Sequence, residues 1–125
     1  MNPEAQPPTA AVAGSIEIKP QVVFSLALEA TLSTYGVVGI ASRFTGVDMT
    51  RREPQRGLEV KLSAKPDGAT HVQVSAHVIV EYGVRIDAVI SSLQRQVSYT
   101  IHHSTGYIVD TVNVHVSALR VTHED

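Results

Sequence analysis

The sequence contains no cysteine. Disulfides, thiol nucleophiles and every cysteine-ligated metal site are therefore excluded. The absence fits a reducing cytoplasm, and it fits equally an exported chain that avoids thiols. An excess of one charge is missing too. Ten Lys and Arg against twelve Asp and Glu leave a net charge of −2 with the histidines neutral, the wrong balance for a wholesale nucleic-acid binder. There is no long apolar run. The most apolar stretch, residues 22–32, is broken by Ser25, Glu29 and Thr31 and is too short and too polar to cross a bilayer. The opening MNPEAQPPTAAVAG has neither the basic leader nor the apolar segment of a signal peptide. Its Pro, Ala and Gln read as a disordered tail over residues 1–13. Phosphate-binding loops, dinucleotide glycine fingerprints and nucleophile elbows are absent, and no cofactor is expected.

What remains is an ordinary globular composition. The 125 residues are 43% hydrophobic and 18% charged, enough for one domain with a workable core. The domain is placed at residues 14–119, followed by a charged tail at 120–125. Residues 15–19 (SIEIK) alternate and are expected to form a short strand. Pro20 can open a helix because its missing N–H costs nothing in the first turn. Val22, Val23, Leu26, Ala27 and Ala30 then recur at helical spacing up to about residue 34, with Gly36 as the stop. Residues 37–41 are apolar and read as an irregular lip. A polar segment follows, with Arg43, Arg51, Arg52 and Arg56. A connection this long is uncommon in a compact domain and often functional.

Two clean alternations come next. LEVKLS points Leu58, Val60 and Leu62 inward. Residues 70–82 point Val72, Val74, Ala76, Val78 and Val80 one way and His71, Gln73, Ser75, His77 and Glu81 the other. Lys65-Pro66-Asp67-Gly68 between them has the chemistry of a turn, so the pair is a hairpin. After Gly83, residues Ile86, Val89, Ile90, Leu93, Val97 and Ile101 form a helical stripe, ended by Gly106. TGYIVDTVNVHVSAL is the last strand. The order β-α-β-β-α-β predicts an α+β two-layer sandwich, a four-stranded mainly antiparallel sheet with two helices on one face, of ferredoxin-like topology. Its strand order stays open.

Two helices cover one face of such a sheet and leave the other wet. That open face would carry Glu17, Lys19, Glu59, Lys61, His71, Gln73, Ser75, His77, Thr111, Asn113, His115 and Ser117. It offers no Phe, Tyr or Trp, which argues against the base stacking used by RNA-binding domains of this shape. His77 and His115 could share the face, but no carboxylate or cysteine completes a metal-ligand spacing. His102 and His103 suit the negative end of the second helix. Glu81-Tyr82 is more simply a strand end than an acid–base pair. Arg51 and Arg52 could meet phosphate or an acidic protein surface.

Taken together, GSIEIKPQVV, YGVVGIA, VIVEYGVRI and TGYIVDTVNVHV resemble the alkaline shock protein 23 family of bacterial stress proteins, from about Gly14 to Ala118. The positions carrying the signature are Glu81-Tyr82-Gly83-Val84, Thr105-Gly106 and Val112-Asn113-Val114-His115-Val116. The resemblance implies a cytoplasmic protein without catalytic residues, tied to envelope stress. It implies an adaptor that self-associates as a homo-oligomer. Its protein partner would be a small membrane protein, which would hold it at the inner face of the cell membrane, or a lipid-metabolism enzyme. From the charge balance and the open face's lack of aromatics, no sequence-specific nucleic-acid binding is expected. The alternative reading is a regulatory domain linked to lipid metabolism, with Gln73, His77, Asn113 and His115 converging on a small ligand or anion. Together with Arg51 and Arg52, these four residues are the candidate binding set.

Overall fold

The computed structural model describes residues 14, 16–41 and 57–121. Helix α1, Pro20–Ser33, starts on the proline and ends at Thr34. The short strand β1, Val37–Ile40, follows, then β2, Leu58–Ala64, and the twelve-residue β3, Thr70–Glu81. Helix α2, Ile86–Thr105, runs into Gly106, whose left-handed backbone (φ +81°) is available to glycine at little cost. The last strand, β4, Ile108–Arg120, is thirteen residues long.

β3 is the centre of the sheet. β4 runs parallel along nearly all of it, with His71 opposite Ile108 and Glu81 opposite Arg120. The other flank of β3 is shared by two antiparallel strands laid end to end. β2 covers Thr70–Ala76, and β1 covers Val78–Val80. Both belong to one interrupted edge, whose gap lies at His77. There the Ala41 N–H donates to the His77 carbonyl at 2.9 Å, and the His77 N–H donates to the Gly57 carbonyl at 2.7 Å. A Cβ on Gly57 would run into the Ala41 carbonyl and the Ile40 side chain. The hairpin turn closes as its chemistry requires: Gly68 (φ +87°) donates to the Lys65 carbonyl and Lys65 to the Ala69 carbonyl.

The two-layer α+β sandwich with two helices against one face of a four-stranded, mainly antiparallel sheet is therefore observed. Parity places Val72, Val74, Ala76, Val78 and Val80 under the helices, each essentially buried. They meet Val89, Leu93, Val97 and Ile101 of α2 and Val23, Ala27 and Ala30 of α1. One element differs. Residues 16–19 form no strand, Ile16 is 91% exposed, and the chain order is α-β-β-β-α-β. The place beside the end of β3 is taken by Val37–Ile40, whose nearly continuous burial outweighs what two isoleucines in SIEIK could supply. Glu17 and Lys19 accordingly leave the open face. The segment with Arg43, Arg51, Arg52 and Arg56 lies outside the described residues.

Candidate functional site: the open sheet face

The strand register lays the polar residues of the uncovered face in rows. Ser63, His71 and Ile108 share one row, Lys61, Gln73 and Thr111 the next, and Glu59, Ser75 and Asn113 the third. His77 and His115 form the fourth, directly opposite each other because β4 is a neighbour of the hairpin and not separated from it. Their rings stack at a centroid distance of 4.4 Å and an interplanar angle of 17°. Face-to-face stacking accounts for this pair without an ion. Among the described residues, no cluster of three or more His, Asp or Glu could hold a metal.

Gln73 and Asn113 do come together. With Glu59, Lys61 and Ser75 they line a shallow recess of about 210 Å³, smaller than the 300–1,000 Å³ typical of small-molecule sites. The four described members of the candidate set thus divide into a polar recess (Gln73, Asn113) and an imidazole stack (His77, His115). Arg51 and Arg52 lie outside the described residues.

A further polar cluster on this face is one the spacing did not single out. Between Val72/Val109 and Gln73/Thr111 the register slips, making Asp110 the extra residue of a bulge. Its carboxylate accepts a hydrogen bond from His71 Nδ1 at 2.7 Å, and Asp67 of the hairpin turn faces His71 Nε2 at 3.1 Å. An imidazolium satisfies both contacts, since each ring nitrogen then donates. The Asp110 bond, followed by the Asp67 bond, holds the His71 pKa above its ordinary value. Asp67 is held below its own, first by the Ala69 N–H and then by His71. The four-residue spacing of Asp67 and His71 was readable in the chain; Asp110 joins them only through the bulge. A second slip, at Ser117, shifts the end of β4, so Ala118 and Arg120 follow the open-face parity there.

The remaining polar candidates have local roles. His102 Nδ1 pairs with the Tyr107 carbonyl at 2.8 Å, bracing the turn out of α2, and His103 stacks on Tyr99 along the helix. Glu81 and Tyr82 engage through their backbone, donating to the Gly36 and Arg120 carbonyls.

A two-layer sandwich whose second sheet face is mostly polar, with Ile79 buried at one end of it, defines a small α+β module built around a surface. The chain belongs to the alkaline shock protein 23 family, described as having a cell envelope-related function, whose family model matches residues 9–121. It is 32% identical over 114 residues to the uncharacterized protein YloU of Bacillus subtilis, covering 87% of this chain and 91% of that one. It is 27% identical over 117 residues to the uncharacterized protein Spy1614 of Streptococcus pyogenes serotype M6, covering 90% and 93%. Among solved structures it is similar to the copper form of the MamM CTD, with a TM-score of 0.46 and 10% identity over 85% of this chain and 92% of that one. No described helix is long and apolar enough to cross a membrane.

Proposed function

We propose that the protein is a non-catalytic, self-associating adaptor of the cell envelope, which binds a protein partner through the open sheet face and the adjoining edge of β4. The observation that carries this reading is the state of β4. It is thirteen residues long, and among the described residues it pairs with β3 alone. A long strand paired on one side presents N–H and C=O groups to any extended segment that can add to the sheet. Of these, the Val112 carbonyl already accepts from Gln94 Nε2 at 3.1 Å. Thr111, Asn113 and His115 stand beside that edge on the polar face. Apolar residues mark its two ends: Ile108 is 39% exposed, Leu119 50% and Val121 64%. Membership of a family with a cell envelope-related description supports the location of the partner.

The test places charge along the edge. Asn113→Lys and Ser117→Lys together keep the strand but obstruct strand addition. Sedimentation should show the parent chain associating with rising concentration and the double variant remaining a monomer with an unchanged circular dichroism spectrum. Tagged parent protein, purified separately from soluble and membrane fractions, should retain a protein that the variant loses. A parent chain that stays monomeric and recovers the same proteins as the variant would overturn the reading.

A further inference from the structure

A recess lies away from the open face, where the C-terminal end of α1 meets the N-terminal half of α2. Tyr35, Gly83, Val84, Arg85, Ala88, Val89, Ser92 and Arg95 line a groove of about 470 Å³, within the range of small-molecule sites. Its floor is a constructed one. The Glu81 N–H donates to the Gly36 carbonyl at 2.8 Å, tying the turn after α1 to the turn before α2. Gly36 has φ +95°, and a Cβ on it would stand 2.6 Å from Val89 Cγ2. The two turns therefore approach as closely as glycine permits. Val84, Ala88 and Val89 give the floor an apolar strip.

The groove's polar groups are cationic and hydroxylic. Arg85, Ala88, Ser92 and Arg95 recur at three- and four-residue spacing and share one side of α2. The arginine backbones are separated by about 15 Å along the helix, at 1.5 Å per residue. Tyr35, 80% exposed, stands on the opposite wall. Two acidic groups lie nearby. Asp87 takes one hydrogen bond from Arg85 at 3.1 Å, with both side chains largely in water, and Glu81 is half-buried at the end of β3. No hydrogen bond or ion pair engages the Arg95 guanidinium among the described residues, although it borders an apolar strip.

We infer that this groove binds a small phosphate-bearing molecule, its phosphate held by Arg95 with Ser92 and Arg85, and its apolar or planar body laid on Val84, Ala88 and Val89 beside Tyr35. Arginine's planar fork matches phosphate oxygens two at a time, a serine hydroxyl adds a neutral donor, and a tyrosine ring offers a face to a planar body. The inference is independent of the adaptor reading, since none of the groove's lining residues belongs to β4 or to the open sheet face. The phosphate could belong to a soluble metabolite or to a lipid headgroup.

Titration of the isotope-labelled full chain with adenosine monophosphate, with inorganic phosphate and with phosphatidylcholine vesicles containing phosphatidic acid separates these sources. Saturable amide shifts at Tyr35, Val84 and Ser92 with the nucleotide would support the site with a soluble ligand. Binding to the acidic vesicles, but neither to pure phosphatidylcholine vesicles nor to the nucleotide, would support it with a headgroup. In either case Arg95→Gln should weaken binding about tenfold or more, as expected for loss of a charge-assisted hydrogen bond. Ala88→Glu, at an exposed helical position in the groove, should abolish binding with the fold intact. Absence of saturable binding to every probe would overturn the inference, as would affinities unchanged in both variants.

Discussion

At the scale of single residues, the most informative side chain is His71. It ties the hairpin turn at Asp67 to the bulge at Asp110, so its charge state bears on how the strands are held. Its pKa is raised above the ordinary 6.5. The charged ring therefore contributes stability fully present below 6.5 and lost as pH rises through the raised value. Asp67 is lowered from 3.8, so its share is present above 3.8 and lost as pH falls through the lower value. Stability from this cluster should be fullest between those two ordinary values. Denaturation midpoints measured from about pH 5 to about pH 9 should fall in the parent, and they should fall less steeply in His71→Gln. An equal slope in the two proteins would remove His71 as the cause. The stacked imidazoles make a separate contribution. Replacing His77 and His115 together by Ser should cost about 1 kcal/mol, the usual worth of an aromatic pair, and leave the fold intact by circular dichroism.

At the scale of elements, periodicity was a good guide wherever one face is buried. The alternations at 58–63 and 70–82 became β2 and β3, and the stripe Val89, Leu93, Val97, Ile101 became the buried side of α2. Leu93 is fully buried, so Leu93→Ala should cost about 2–5 kcal/mol in chemical denaturation. Legibility failed where tertiary pairing decides. SIEIK alternates and reads as a strand while residues 37–41 read as an irregular lip, yet it is Val37–Ile40 that pairs beside Val78–Val80. The Asp110 bulge shows in the sequence only as a break in the alternation, two polar residues between Val109 and Val112. The pattern does not say that Asp110 meets His71, so the cluster could not be assembled from spacing. Nor does the chain announce that β4 lies next to β3, which is what brings His77 onto His115. The groove was hidden because it joins a turn at Tyr35 to a helix face some fifty residues on. Glycine chemistry at that junction is testable. Gly83 also has a positive φ (+100°), but a Cβ there meets open space. Gly83→Ala should cost about 1–2 kcal/mol of backbone strain alone. Gly36→Ala should cost about 1–3 kcal/mol more, because Val89 must also move. Equal losses would mean the close approach at Gly36 is not rigid.

At the scale of the whole molecule, surfaces of different kinds face different ways. The polar sheet face lies opposite the helices, and the arginine-lined groove lies at one end of the helical layer. The β4 edge runs between them, with the Gln94 side chain of α2 donating to its Val112 carbonyl and the Tyr82 N–H to its Arg120 carbonyl. A protein partner on the sheet face and β4 edge and a phosphate-bearing molecule in the groove would use different residues, and the two surfaces come nearest at Arg120 and Tyr82. The interrupted edge adds a further property. The chain leaves the sheet at Ala41 and re-enters at Gly57, and both points are fastened to the same residue, His77. Replacing residues 42–56 by a short Gly-Ser linker should therefore preserve the fold, and the shorter loop should add about 1 kcal/mol to stability. Loss of the cooperative unfolding transition would show instead that the segment is needed for folding. If the fold survives, His77 marks a docking port for interchangeable cassettes. Lineages could swap inserts of different length and chemistry there while inheriting the sheet, its register and its buried valines unchanged.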